Sequence, residues 1–142
     1  MTDRLYTAEA TAEGPRTGRA HASDGRLDVE LSRPASMGGD DGPGTNPEQL
    51  FAAGDAACFR SAMRHALRPL GLRPDALEGA RVTAKVHFDK GGPTTFDLAV
   101  ELEAEVPALD ADTARQLMEA THEVCPYSRA TRGNVPVTLT VR

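Results

Sequence analysis

The side chains best suited to redox chemistry in this sequence are the thiols of its two cysteines, which lie in different kinds of helical segment. Cys58 lies inside an alanine-rich helical segment, whereas Cys125 lies where a second helical segment stops, just before Pro126. One thiol can be oxidised to a sulfenic acid, and a second can condense with it to form a disulfide. The leading hypothesis is therefore a thiol peroxidase. The alternative is a pair of unrelated cysteines that are buried as small apolar residues.

The first helical segment places carboxylates and an aromatic ring on the same face as Cys58. At about 100° per residue, a sector of about 80° contains Glu48, Phe51, Asp55 and Cys58. A reactive cysteine must be a thiolate, but Cys58 lies about 16 Å from the start of the helix, beyond the range of its dipole. Asp55 would disfavour the thiolate if it were ionised. A reactive Cys58 therefore needs a cation from elsewhere in the fold.

Cys125 is predicted to lie at a helix C-terminus, where partial negative charge disfavours a thiolate. That position suits a resolving cysteine. His122 and Cys125 have the spacing of half a zinc site, but no second pair of ligands matches them, so no metal site is predicted. No local signature supports a Cys–His hydrolase. The glycine-rich loop at residues 36–44 has no lysine for a phosphate, and no cofactor is expected.

The composition is that of an ordinary globular chain. Its 142 residues are enough for one domain over residues 1–142, with 39% hydrophobic and 26% charged residues. The net charge of −5 argues against nucleic-acid binding. No apolar run approaches the roughly 20 residues of a membrane span, and no secretory signal is visible, so we expect a cytoplasmic location and no membrane partner.

Alternating apolar and polar residues predict the strands. The alternation is clear in four segments and weaker in a fifth, at residues 27–31, 82–88, 96–106, 135–141 and 6–12. Gly91-Gly-Pro93 predicts a hairpin loop, and Pro136 indicates an edge position or the start of a strand. Because one face of each strand is polar, we expect antiparallel sheets.

Two helices are predicted between these strands. The first covers residues 47–68, with Asn46 as its N-cap and Gln49 in a capping-box-like pattern. The second covers residues 111–123, and a short helical turn is expected at residues 74–77. The order of strands, helix, strands, helix and strand is that of an α+β domain.

The segments around both cysteines strongly resemble those of the organic hydroperoxide resistance (Ohr) proteins, in the family that includes the osmotically inducible protein OsmC. The matching segments are Gly44-Thr-Asn-Pro-Glu-Gln-Leu-Phe-Ala-Ala-Gly, Ala56-Ala-Cys-Phe59, Val124-Cys-Pro-Tyr-Ser and Ala130-Thr-Arg-Gly-Asn134. The resemblance extends to Tyr6-Thr-Ala and Gly14-Pro-Arg-Thr-Gly18, and so covers nearly the whole chain.

The resemblance implies a fold, a reaction and its residues. The fold is an intertwined homodimer of α+β subunits, with antiparallel sheets around two central helices. Cys58 is then the peroxidatic cysteine and Cys125 the resolving one, Arg16 stabilises the thiolate, and Glu48 holds Arg16. The implied substrates are organic hydroperoxides, and the implied reductant is a dithiol on a lipoylated protein.

Further expectations concern the pocket and the arginine. An apolar pocket is predicted from Phe51, Phe59, Met37, Leu50 and Tyr127. Glu48 and Cys58 are about 15 Å apart along one helix, too far for one arginine to contact both. We therefore expect Arg16 and Glu48 to come from different subunits, or Glu48 to be reached through a bend.

Two residues depart from the family pattern. Asp55 stands where an aromatic residue is usual, and Arg129 stands where Asn or Lys is common. Neither departure removes a residue that the chemistry needs. The competing hypothesis is a non-enzymatic redox sensor or lipid-binding dimer on the same fold.

Overall fold

The computed structural model describes residues 2–142, which form two compact units, one ending at Leu50 and one covering Phe51–Arg142. The α+β class is confirmed, while the single domain stays a prediction. The strands are β1 (Ala10–Glu13), β2 (Arg19–Ala22), β3 (Asp28–Glu30), β4 (Arg81–Lys90), β5 (Phe96–Glu105) and β6 (Val137–Val141). The helices are α1 (Pro47–Leu67), α2 (Ala111–Val124) and α3 (Pro126–Thr131).

The first unit contains a three-stranded antiparallel sheet in the order β1-β2-β3. A tight turn over residues 14–18 joins β1 to β2 and carries Arg16. Gly14 has a φ of 78°, and a side chain at Gly18 would collide with the backbone oxygen of Glu13, so both positions require glycine. Strand β2 was not predicted from the sequence, because it contains no large apolar residue.

The first unit has almost no fully buried residues. Leu31, at 8% exposure, is the only buried residue among residues 2–50, and all four residues of β1 are exposed. A three-stranded sheet needs an apolar face to be stable. Within one chain this unit therefore lacks a hydrophobic core of its own.

The second unit contains a sheet in the order β4-β5-β6. The predicted hairpin is confirmed, because β4 and β5 pair antiparallel over ten residues each on either side of residues 91–95. The expectation of antiparallel pairing is wrong for β6, which lies parallel to β5. The connection between these strands passes through α2 and α3, and such a crossover returns the chain in the same direction. Strand β6 is an edge strand that starts directly after Pro136, as predicted.

The helix boundaries follow the predicted signals. The side chain of Asn46 accepts a hydrogen bond from the backbone N–H of Gln49 at 2.8 Å, which confirms the N-cap of α1. Pro126 ends α2 as predicted but also begins α3, which the sequence analysis missed. The short helical turn at Pro74–Leu77 is also confirmed. None of the helices within residues 2–142 combines the length and hydropathy that a membrane span requires.

The hydrophobic core of the second unit lies between its helices and its sheet. Alternate residues of β5 are buried in it, as expected for a strand with one apolar face. Phe59 and Met63, one turn apart on α1, are fully buried there with Leu117 of α2. Cys125 belongs to the same core, so its position is fixed by the packing of the whole unit.

Candidate active site

The corner between α2 and α3 holds Cys125 in place. Its backbone N–H donates to the Thr121 oxygen at 2.8 Å, and its own oxygen accepts from the Arg129 N–H at 2.9 Å. The residue is thus the C-cap of one helix and the N-cap of the next. Pro126 suits the first position of α3, because a proline lacks the N–H that would be unsatisfied there.

The two thiols meet in the second unit. The Cys125 thiol donates to the Cys58 sulfur across 3.7 Å, and both cysteines are free. A disulfide needs the sulfur atoms to come about 1.7 Å closer. Cys125 is 0% exposed, whereas Cys58 is only partly buried. Cys58 is therefore the thiol that an oxidant from solvent can reach, and the buried Cys125 sulfur is in contact with it.

The surroundings of Cys58 favour the protonated thiol. Burial raises the pKa of Cys58 most strongly, and the neighbouring Cys125 and Asp55 raise it further. The backbone N–H of Tyr127 acts in the opposite direction, because its hydrogen bond to the sulfur favours the thiolate. The need for a cation, inferred from the sequence, is thus consistent with the environment of the thiol.

Two aromatic side chains of the predicted pocket are in contact. Phe51 and Tyr127 pack edge to face, with ring centroids 5.7 Å apart at 76°. Tyr127 is 36% exposed. Gly54 allows this approach, since a side chain at that position would come within 2.5 Å of the Tyr127 hydroxyl. Phe51 and Tyr127 therefore form an aromatic pair in the same unit as Cys58.

The outcome differs for the other three predicted pocket residues, Phe59, Met37 and Leu50. Phe59 is 0% exposed in the hydrophobic core, where it offers no surface to a ligand. Met37 ends a short 3-10 helix of the first unit and is partly buried, as is Leu50 at the end of that unit. The pocket role of Met37 and Leu50 stays a prediction.

Arg16 and Glu48 form a two-pronged ion pair within the first unit. Their nitrogen–oxygen distances are 2.9 and 2.8 Å, and both side chains are partly buried. The hydrogen bond from Arg16 holds the pKa of Glu48 below its usual value. The expectation that the two residues come from different subunits is wrong, because the turn at residues 14–18 presents Arg16 to the first turn of α1 in the same chain. The other expectation, that Glu48 is reached through a bend, stays a prediction.

A second polar network, which the sequence analysis missed, supports the Cys125 corner. His122 and the buried Ser128 share a hydrogen bond of 2.8 Å between Nδ1 and Oγ. The guanidinium of Arg132 donates to the His122 backbone oxygen at 2.6 Å. The available signal was the spacing of Ser128, three residues after the N-cap of α3. Within residues 2–142 no three His, Cys, Asp or Glu side chains gather as metal ligands.

Asp55 is the unexpected member of this region. It lies one turn before Cys58 on α1, as predicted, and is only 2% exposed. Its Oδ1 atom has no hydrogen-bond partner. Burial raises the pKa of its carboxyl group, which favours the neutral acid.

Known proteins resemble this chain over nearly its whole length. The OsmC-like protein family model matches residues 38–140. An organic hydroperoxide resistance protein of Xanthomonas axonopodis pv. citri is 46% identical over 142 residues, covering 96% of this chain and 94% of that protein. The organic hydroperoxide resistance protein OhrB of Bacillus subtilis is 43% identical over 140 residues, covering 97% and 98%.

Solved structures give the same result. The crystal structure of an organic hydroperoxide resistance protein OsmC from Legionella pneumophila superposes with a TM-score of 0.89 at 44% identity, and the match covers 98% of each chain. The fold and the sequence therefore agree on the same group of relatives.

Mild oxidation is expected to join Cys58 and Cys125 within one chain, because their sulfur atoms are in contact and no other cysteine is present. Mass spectrometry without reductant should show each chain lighter by two hydrogen atoms. Cys125→Ser is the control and should not form the bond. Pairs of disulfide-linked chains from the unaltered protein would contradict the expectation.

Proposed function

The chain belongs to the OsmC-like protein family, in the group of organic hydroperoxide resistance proteins, and on that premise we propose that it is a thiol peroxidase that reduces organic hydroperoxides to alcohols. The observation that carries the proposal is the 3.7 Å contact between an accessible thiol and a buried one. The names of the relatives indicate the class of substrate, and the paired thiols provide a chemistry for it.

The first step uses Cys58. Its thiolate attacks the terminal oxygen of the hydroperoxide, the O–O bond breaks, and an alkoxide leaves to become the alcohol. Cys58 becomes a sulfenic acid. The partial exposure of Cys58 supports this assignment, because the attacking sulfur must be reached by the substrate.

The second step uses Cys125. Its sulfur attacks the sulfenic acid, water leaves, and a disulfide forms. A dithiol then restores both cysteines by thiol–disulfide exchange. We propose a lipoyl group on a protein as that dithiol, and no further cofactor is needed. A cytoplasmic location fits this cycle, because that compartment keeps thiols reduced.

Arg16 and Glu48 have supporting roles in this proposal. Arg16 provides the positive charge that lowers the pKa of Cys58 and directs the peroxide oxygen. Glu48 fixes the guanidinium plane through a charge-assisted pair with two hydrogen bonds, which restricts both position and rotation. The aromatic pair of Phe51 and Tyr127 provides an apolar wall for the alkyl part of the substrate.

A homodimer is part of the proposal. The first unit leaves its sheet without a hydrophobic core in the single chain. The first unit also exposes the large apolar side chains of Leu5 and Tyr6, and a second copy that covers them would remove them from water.

Peroxide turnover with dihydrolipoamide tests the reaction. The unaltered protein should reduce tert-butyl and cumene hydroperoxide repeatedly, and Cys58→Ser should be inactive because no sulfur is left to attack. Cys125→Ser should react once and then accumulate sulfenic or over-oxidised Cys58, which mass spectrometry detects. A single stoichiometric oxidation of the unaltered protein would instead favour the redox sensor.

Removal of the Glu48 charge should slow peroxide reduction. Glu48→Gln loses the two-pronged pair and lets the Arg16 guanidinium rotate, and we expect a loss of kcat/KM on the order of 100-fold. Asp28→Asn is the matched control, because it breaks a similar two-pronged pair with Arg19 on the exposed surface of the same unit. Equal rates for the two variants would refute the role of Glu48.

The mass in solution tests the dimer. Light scattering after size-exclusion chromatography should give twice the chain mass of 15.1 kDa, because the first unit needs a partner to cover its sheet. A monomer at micromolar concentration would contradict this part of the proposal and leave the thiol chemistry untouched.

A further inference from the structure

Asp55 is a buried ionisable residue of the second unit that takes no part in the reaction proposed above. Asp55 is 2% exposed, and its Oδ1 atom has no hydrogen-bond partner. A buried carboxylate without a partner is costly, so such groups are usually paired or protonated. Burial raises the pKa of the Asp55 carboxyl group. The Asp55 carboxylate is therefore a stronger base than the carboxylate of an exposed aspartate.

Asp55 lies close to the reactive sulfur of Cys58 along the same helix. It precedes Cys58 by three residues on α1, and residues at that spacing are neighbours on a helix surface, with Cβ atoms about 5–6 Å apart. The negative charge of Asp55 is one of the causes that raise the pKa of Cys58. The other ionisable groups of this cluster are Cys125, at the corner of α2 and α3, and Tyr127 on α3.

The proposed reaction needs a proton carrier at this place. The Cys58 thiol must lose a proton before it attacks, and the alkoxide that leaves the hydroperoxide must gain one. Both atoms lie beside the same sulfur. A group that accepts the first proton and donates it in the second step would serve both needs, and such general acid–base catalysis contributes typically 10²–10⁴-fold to a rate.

We propose that Asp55 is a catalytic proton carrier that takes the proton of the Cys58 thiol and returns it to the departing alkoxide. This inference rests on the proposed peroxidase function. First, thiol and carboxylate become thiolate and carboxylic acid. The thiolate then takes the terminal OH of the hydroperoxide, so that sulfur loses two electrons and the O–O bond accepts them. Finally, the carboxylic acid protonates the alkoxide, which gives the alcohol and restores the carboxylate.

The scheme keeps a single negative charge in the site at every stage. The charge moves from Asp55 to the sulfur, then to the alkoxide oxygen, and back to Asp55. Two adjacent anions in a partly buried site would repel each other strongly, and the carrier avoids that state. The Oδ1 atom of Asp55, which accepts no hydrogen bond, is then useful, because an oxygen that already accepts a hydrogen bond is less able to take up a proton.

Asp55→Asn tests the carrier, since the amide keeps the size of the side chain but cannot transfer a proton. The measured quantity is the ratio of two rates of Cys58 at each pH. One is the rate of oxidation by tert-butyl hydroperoxide, and the other is the rate of alkylation by iodoacetamide, which needs the thiolate but no proton donor. We expect the variant to lower this ratio about 100-fold. Glu119→Gln, an exposed position on α2, should leave the ratio unchanged.

The pH dependence gives a second readout. Oxidation of Cys58 by the hydroperoxide requires an ionised thiol and a protonated Asp55, so its rate in the unaltered protein should rise and then fall with increasing pH. In Asp55→Asn the fall should disappear. If the variant changes oxidation and alkylation by the same factor, Asp55 acts only through packing or charge, and the inference is overturned.

A third measurement needs no variant. Because an acid donates a proton to the leaving group, the rate at which hydroperoxides oxidise Cys58 of the unaltered protein should depend only weakly on the acidity of the alcohol released. A steep dependence would overturn the inference. If none of the hydroperoxides oxidises Cys58 of the unaltered protein, the proposed function itself fails. If it reacts and Asp55→Asn reacts equally, only the proton carrier fails.

Discussion

The contact between the Cys58 and Cys125 sulfur atoms depends on three helices that meet in the second unit. Helix α1 carries one thiol on its surface, and the corner between α2 and α3 carries the other inside the core. Backbone hydrogen bonds on both sides of Cys125 fix that corner. A shift of one helix by a fraction of its diameter would separate the sulfur atoms beyond the reach of a disulfide. The core packing of this unit therefore sets the distance between the two thiols.

The same burial that fixes the thiols creates an electrostatic problem. A thiol removed from water ionises less readily, and the neighbouring Asp55 adds to this effect. The proposed reaction solves the problem in two ways. The charge of Arg16, held by Glu48, would stabilise the thiolate, and the Asp55 carboxyl would carry the proton that the thiolate gives up. The hydrogen bond from the Tyr127 N–H contributes in the same direction as Arg16.

Most of the secondary structure was predictable because it depends on local periodicity and capping. The N-cap at Asn46 and the hairpin before Phe96 were found from a few neighbouring residues each. Strand β2 was missed because Ala20 and Ala22 give no apolar signal. The parallel pairing of β6 was missed because it is set by two helices that lie between the strands. The intrachain pair of Arg16 and Glu48 was missed because a turn far from α1 in the sequence decides it.

For the site, the sequence by itself determined which side chains have redox chemistry, that Cys58 lies within a helix, and that Asp55 shares its face. These are properties of residue type and of spacing along one helix, which the 3.6-residue period fixes. Only the tertiary structure decided that the two sulfur atoms are in contact, that Cys125 is the buried one, and that the Oδ1 atom of buried Asp55 has no hydrogen-bond partner. Cys58 and Cys125 are 67 residues apart, and at that separation the distance between two atoms is set by how helices and sheet pack together rather than by any local pattern.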